Sequence, residues 1–251
     1  MRFAFLDRDA VKILAALTML VDHAGLLLFA GSELYLPMRA IGRVAFPLFA
    51  YLFAEGCIFT KNRRRHFLSV LLLGAVCQGV YIFAMGAVYP LNILLTLSLA
   101  MLLTFAVENL KRAFLGESSR VDRAVAVPAL LLLLGGTVLL NIFFTFDYGL
   151  LGCVLPPLCA LFDLRSPFLP DEARRRDTPL LRIAVTGVIA AALTYIAPFG
   201  TLQLYALLAV PILLLYNGRE GRYRLKWAFY LFYPLHLAAL SGIRLLLLLL
   251  R

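Results

Sequence analysis

The chain has 251 residues, 63% of them hydrophobic, with a mean hydropathy of +0.90. Soluble domains are only about half apolar, so this composition excludes an ordinary globular enzyme and predicts a polytopic membrane protein. The formal net charge of +10 does not require nucleic acid as a partner, because the basic residues alternate from loop to loop in the manner that sets membrane topology.

Nine apolar segments follow in chain order, at about 10–30, 41–60, 67–85, 91–110, 124–144, 148–162, 180–197, 201–216 and 227–250. A membrane span needs about 20 residues, so nine of them consume most of the chain. The longest polar connection, Asp163 to Pro179, is too short for a soluble domain. The expected architecture is all-α: a single integral-membrane domain over 1–251, a helix bundle of about nine transmembrane helices.

Basic clusters occur at Lys61 with Arg63, Arg64 and Arg65, at Lys111 and Arg112 with Arg120 and Arg123, at Arg165 with Arg174 to Arg176, and at Arg219, Arg222, Arg224 and Lys226. The turns at 86–90, 145–147 and 198–200 contain no Lys or Arg. Positive loops face the cytoplasm, which predicts a cytoplasmic N-terminus and, with nine spans, an outer C-terminus. The basic loops also suit contact with anionic lipid headgroups of the bilayer.

The first segment contains Lys12 near its start and Asp22-His23 within it. Its apolar stretch is too long for the core of a signal peptide, so it is expected to be retained. Ionisable groups inside a membrane are expensive and mark pathways or reaction sites. Lys12 and His23 are eleven residues apart, about three helical turns and about 16 Å of rise. They share one face, a surface cation beneath a deep imidazole. That geometry suits a long anionic donor such as coenzyme A, whose phosphates a lysine can hold while its thioester reaches inward. Asp22 points about 100° away from His23 on a helix, so its partner is expected on another span.

The second segment offers that partner. Arg39 and Arg43 share a face four residues apart, and Arg43 with Asp22 would neutralise two buried charges. Arg39 reads as an interfacial anchor. Glu55, further along, needs a partner or a wet cavity. Asn92, at the start of the fourth segment, and Tyr233 and His236, in the last, are candidates for an acceptor pocket. Pro234 precedes His236 and interrupts the helical ladder there. Cys57, Cys77, Cys153 and Cys159 all lie in apolar segments and read as small hydrophobes. No metal-ligand spacing, P-loop, G-x-S-x-G or H-E-x-x-H occurs.

Several stretches together resemble the TraX family, named for N-terminal acetylation of conjugative F-pilin. They are LDRDAVKILAALTMLVDHAG, MRAIGRVAFPLFAYLFAEGC, NILLTL, FDYGLLGCVL and KWAFYLFYPLHL. The family is similar in turn to the type-3 and heparan glucosaminide-type membrane acyltransferases, and Lys12 and His23 match the cation-x10-His pattern of the type-3 enzymes. The resemblance implies a protein of the bacterial cytoplasmic membrane that moves an acetyl group from cytoplasmic acetyl-CoA to a hydroxyl or amine on a glycan or protein. His23 would be the general base, assisted by Asp22 and Arg43. Lys12 and the cations Arg63, Arg64 and Arg65 would bind the donor, and Glu55, Asn92, Tyr233 and His236 would line the acceptor pocket. A proton-coupled transporter or flippase using Asp22, His23, Glu55 and His236 as a relay is the alternative, although no inverted repeat is visible.

Overall fold

The computed structural model describes residues 4–85, 90–116, 120–196, 200–222 and 226–250. The uncharged turns at 86–89 and 198–199, Arg224 and the side chain of Lys226 lie outside the described residues. Among those described, the chain is helical: α1 (Arg8–Leu28), α2 (Tyr35–Gly42), α3 (Ala45–Ile58), α4 (Arg63–Met85), α5 (Ile93–Leu115), α6 (Arg120–Phe143), α7 (Gly149–Leu161), α8 (Asp171–Arg175), α9 (Pro179–Ile196), α10 (Ala209–Leu214) and α11 (Lys226–Leu249). A 3₁₀ segment, Gly200–Leu208, leads into α10. Only isolated backbone bridges, Leu6 with Tyr216 and Leu91 with Phe146, add extended pairing among the described residues.

Among the described residues, six helical stretches are long and apolar enough to cross a membrane: Arg8–Leu28, Tyr35–Ile58, Arg63–Ala84, Ile93–Leu115, Arg120–Phe143 and Ala228–Leu249. The three remaining apolar segments form shorter helices, Gly149–Leu161, Pro179–Tyr195 and Gly200–Leu214. The all-helical membrane bundle expected from sequence is thus present, with six full-length candidates rather than nine. Hydropathy reports how apolar a segment is; it does not report how much of it is wound into one unbroken helix.

The helix boundaries follow from local chemistry. Asp7 caps α1, its carboxylate accepting from the Ala10 amide at 2.8 Å, which satisfies one orphan donor of the first turn. Gly31 turns the chain after α1 with φ +85°. Between α2 and α3 the helix breaks at Arg43, four residues before Pro47, which has no amide to bond back to the Arg43 carbonyl. Apolar side chains cover the outside of α6 and the end of α11: Leu132 is 78% exposed and Leu249 76%. Such a surface suits lipid rather than water.

The chain gathers into two compact units. The first comprises Met1–Phe49, Ala75–Tyr89 and Ala190–Arg251. Here α1 packs on α2 and on α11, and α2 packs on the 3₁₀ segment. The second comprises Ala50–Gly74 and Pro90–Ile189. In it α5 lies against α6 and α7, and Cys57, Val70 and Met101 form a buried cluster flanked by Phe53, Phe67 and Phe105. All four cysteines are buried free thiols.

Candidate functional site

The first unit brings the ionisable residues of the first, second and last long helices together. Asp22 is buried and clamped by two guanidiniums. Arg39 Nη1 donates to one carboxylate oxygen at 2.5 Å, and Arg43 Nη2 donates to the other at 2.5 Å. The partner expected for Asp22 is therefore there, and Arg39, read as an interfacial anchor, joins it as a second. Arg43 also donates from Nε to the Arg39 carbonyl at 3.2 Å, hooking its side chain over the last turn of α2. Gln203, fully buried on the 3₁₀ segment, turns its carbonyl oxygen toward Arg43 Nη1 at 3.5 Å.

Gly42 makes this clamp possible. A Cβ at that position would fall 2.1 Å from Asp22 Cβ and Oδ1. Only a residue without a side chain lets α2 approach α1 closely enough for both arginines to straddle one carboxylate. Gly25, one helical turn further on, faces the Met38 Cβ, which an added Cβ would meet at 2.8 Å. The α1–α2 hairpin is thus built on two glycines, one from each helix.

Next to Asp22 in sequence, but on a different face of α1, His23 meets α11. Its Nδ1 lies 2.7 Å from His236 Nε2. The two ring planes differ by only 14°, with centroids 5.0 Å apart, a separation that fits rings meeting edge to edge in a common plane. His236 Nδ1 lies 2.7 Å from the carbonyl oxygen of Phe232, four residues earlier on α11. Phe232 also stacks on the His236 ring at 4.7 Å and Tyr233 meets it edge-on at 5.8 Å. The helical bond lost at Pro234 is the one to the Tyr230 carbonyl, so the carbonyl that holds His236 is a different one from the carbonyl the proline releases.

Lys12 meets the same helix. Its Nζ lies 5.6 Å from the centroid of the Phe229 ring, a cation–π distance. Lys12 and His23 therefore both face α11, contacting Phe229 and His236 respectively. The ascending order of those contacts shows that α1 and α11 run in the same direction.

The other expected site residues, Glu55, Arg63, Arg64, Arg65 and Asn92, belong to the second unit. Glu55 is buried and paired with Arg165. Arg165 also holds Asp163 (Nη2 to Oδ2, 2.6 Å), and Arg182 bridges Asp163 and Asp177 at 3.0 and 2.6 Å. Lys111 ties in the backbone, donating to the carbonyls of Ala160 and Asp163 at 2.7 and 2.6 Å. Burial pushes the Asp163 carboxyl up, but the hydrogen bonds and charge of Arg165, aided by Arg182, hold it below its ordinary range. Burial likewise pulls the Arg165 guanidinium down, and Asp163 and Glu55 more than reverse that. This network locks the 163–178 connection to the helix ends. Sequence gave no signal for the Glu55–Arg165 pair, whose members are 110 residues apart.

Asn92 is fully buried and caps α5, accepting from the Leu94 amide at 2.9 Å and donating to the Gly74 carbonyl at 2.8 Å. Arg63 donates to Asn109 Oδ1 at 2.6 Å and covers the rings of Phe105 and Phe168 at 5.2 and 5.6 Å. Arg64 and Arg65 are exposed. No group of three or more His, Cys, Asp or Glu side chains able to hold a metal occurs among the described residues.

The model of the TraX family, described as TraX protein, matches residues 7–244. The chain belongs to the TraX family. A relative from Dichelobacter nodosus, named "Probable fimbrial assembly protein FimC, serogroup H1", is 26% identical over 255 residues, covering 94% of this chain and 95% of the relative. No solved structure matches the chain. Every residue of the histidine pair and of the Asp22 clamp falls inside the TraX-matched region.

Proposed function

We propose that this TraX-family protein is a membrane acyltransferase that moves an acetyl group from acetyl-CoA to a hydroxyl or amine, with His23 as general base. One observation carries the reading: an imidazole held edge to edge by a second imidazole inside an apolar bundle, three turns along the same helix from a lysine. A general base needs a group that orients it, and His236 is that group for His23. Lys12 would hold the donor's phosphates as a point charge. The acceptor's proton passes to His23 while its oxygen or nitrogen bonds to the acetyl carbon. The carbon–sulfur bond then breaks, and the coenzyme A thiolate leaves and is reprotonated. Two guanidiniums on Asp22 keep the α1–α2 hairpin rigid beside the reacting groups, and Tyr233 and His236 line the acceptor side. The relative's name, a fimbrial assembly protein, favours a cell-surface protein or glycan as acceptor.

The reading includes nine crossings of the bacterial cytoplasmic membrane with the N-terminus inside. Parallel α1 and α11 support an odd number of crossings, and in this reading the three shorter apolar helices join the six long ones to make nine. Gly200–Leu214 begins with nine 3₁₀ residues, whose larger rise gives the segment about 27 Å, close to the ~30 Å hydrocarbon core.

Binding of labelled acetyl-CoA to purified protein, followed by release of free thiol with native membrane lipid, glycan and protein fractions as acceptors, tests the reading. Lys12→Ala should weaken donor affinity about tenfold, about 1.4 kcal/mol. Proton-driven solute uptake into liposomes without coenzyme A, together with no acetyl-CoA binding, would instead establish the transporter reading.

A further inference from the structure

The geometry points to His236 as the residue that fixes the tautomer of His23, leaving His23 Nε2 as the atom that accepts the proton. The inference rests on the reading of His23 as general base and names the atoms through which it acts.

A backbone carbonyl sets the direction of the chain. An oxygen of this kind can only accept, so His236 Nδ1, 2.7 Å from the Phe232 oxygen, carries a hydrogen. A neutral imidazole has one N–H and one bare nitrogen, so His236 Nε2 is bare and accepts. His23 Nδ1, 2.7 Å from it, is therefore the donor. The 14° between the ring planes suits a bond made along the in-plane lone pair. His23 has then spent its single hydrogen on His236, and its Nε2 is bare. No hydrogen-bond partner for that Nε2 occurs among the described residues. An oriented carbonyl, a relay imidazole and a base imidazole form a chain of fixed direction, the role that an orienting third group plays for a catalytic histidine.

The chemical consequence balances. When an acceptor O–H or N–H attacks the thioester, its proton moves to His23 Nε2. His23 becomes an imidazolium whose Nδ1–H still donates to His236 Nε2, so the positive charge is shared along the chain without a second proton transfer. As the carbon–sulfur bond breaks, the leaving thiolate takes the proton back from Nε2, and the resting tautomers are restored.

Nitrogen-15 spectra of histidine-labelled protein in nanodiscs test this without any turnover. The chain has three histidines, and His66→Gln and His236→Gln assign them. In the native protein His23 and His236 should both be protonated at Nδ1 and bare at Nε2. In His236→Leu, His23 loses its acceptor and should shift toward the Nε2–H form, with kcat reduced about 10²–10⁴-fold and KM for acetyl-CoA changed less than threefold. In His236→Gln the amide oxygen can accept from His23 Nδ1, and kcat should recover at least tenfold relative to His236→Leu. An Nε2–H His23 in the native protein, or a doubly protonated His236 donating to it, overturns the proposal. So does an unchanged His23 tautomer in a folded His236→Leu variant. If His236→Leu does not fold, the native spectrum and His236→Gln still decide. Native tautomers as described in a protein that transfers no acetyl group would sink the acyltransferase reading while leaving the positioning role intact.

Discussion

Asp163 shows how single side chains hold the second unit together. It is buried, yet its carboxyl titrates below the ordinary value because Arg165 hydrogen-bonds it and Arg182 adds charge. A carboxyl with a depressed folded pKa stabilises the fold above its unfolded value and loses that contribution as pH falls through the folded one. The loss therefore begins near pH 3.8 and extends below it. Asp163→Asn removes this proton linkage. The variant should be less stable at neutral pH, and its stability should fall less steeply than that of the native protein below about pH 4. Unfolding of detergent-solubilised protein followed by tryptophan fluorescence across acidic pH measures both; parallel acid slopes would show that Asp163 does not carry the linkage. At this scale the sequence was informative wherever an ionisable residue interrupted an apolar run. Asp22, His23, Arg43 and His236 stood out for that reason, and the Asp22–Arg43 pair followed from charge balance between adjacent spans. Arg39 was misjudged because its place at a span end has a ready interfacial explanation. Arg165 was overlooked because it lies in a basic loop.

Helices here are positioned by close approach as much as by hydropathy. The α1–α2 contact depends on Gly42, where a Cβ would sit 2.1 Å from Asp22. In an isolated helix Gly→Ala stabilises by about 1 kcal/mol. Gly42→Ala should do the reverse. It would push α2 away from α1, loosen the grip of Arg39 and Arg43 on Asp22, and leave buried charges poorly paired, a loss on the order of 3–5 kcal/mol if the clamp opens fully. A lower melting temperature in detergent is the expected reading; a variant as stable as the native protein would mean that the hairpin relaxes without cost. Sequence placed these elements but could not supply their breaks. The break at Arg43 divides Tyr35–Ile58 into α2 and α3, and the 3₁₀ stretch from Gly200 leaves only α10 as α-helix in a segment that hydropathy alone reads as a full span.

For the whole molecule, the direction of α1 relative to α11 is the strongest constraint on topology. Lys12 meets Phe229 and His23 meets His236, so the first and last spans cross the same way. Alkaline phosphatase fused after residue 250 should be active, and the same reporter inserted at Ser166 should be inactive, placing the C-terminus outside and the 163–178 connection inside. An inactive C-terminal fusion that is stably produced would contradict a topology of nine spans with the N-terminus inside. Contacts between the two ends of the chain were not legible in the sequence, because residues over 200 positions apart leave no local pattern.

The central claim is that His23 takes the acceptor's proton. Single-turnover acetyl transfer from acetyl-CoA in proteoliposomes, native against His23→Ala, measures it most directly. The account predicts that His23→Ala binds acetyl-CoA within about threefold of native affinity but transfers acetyl about 10²–10⁴-fold more slowly. Native transfer rates in a folded His23→Ala protein would contradict it.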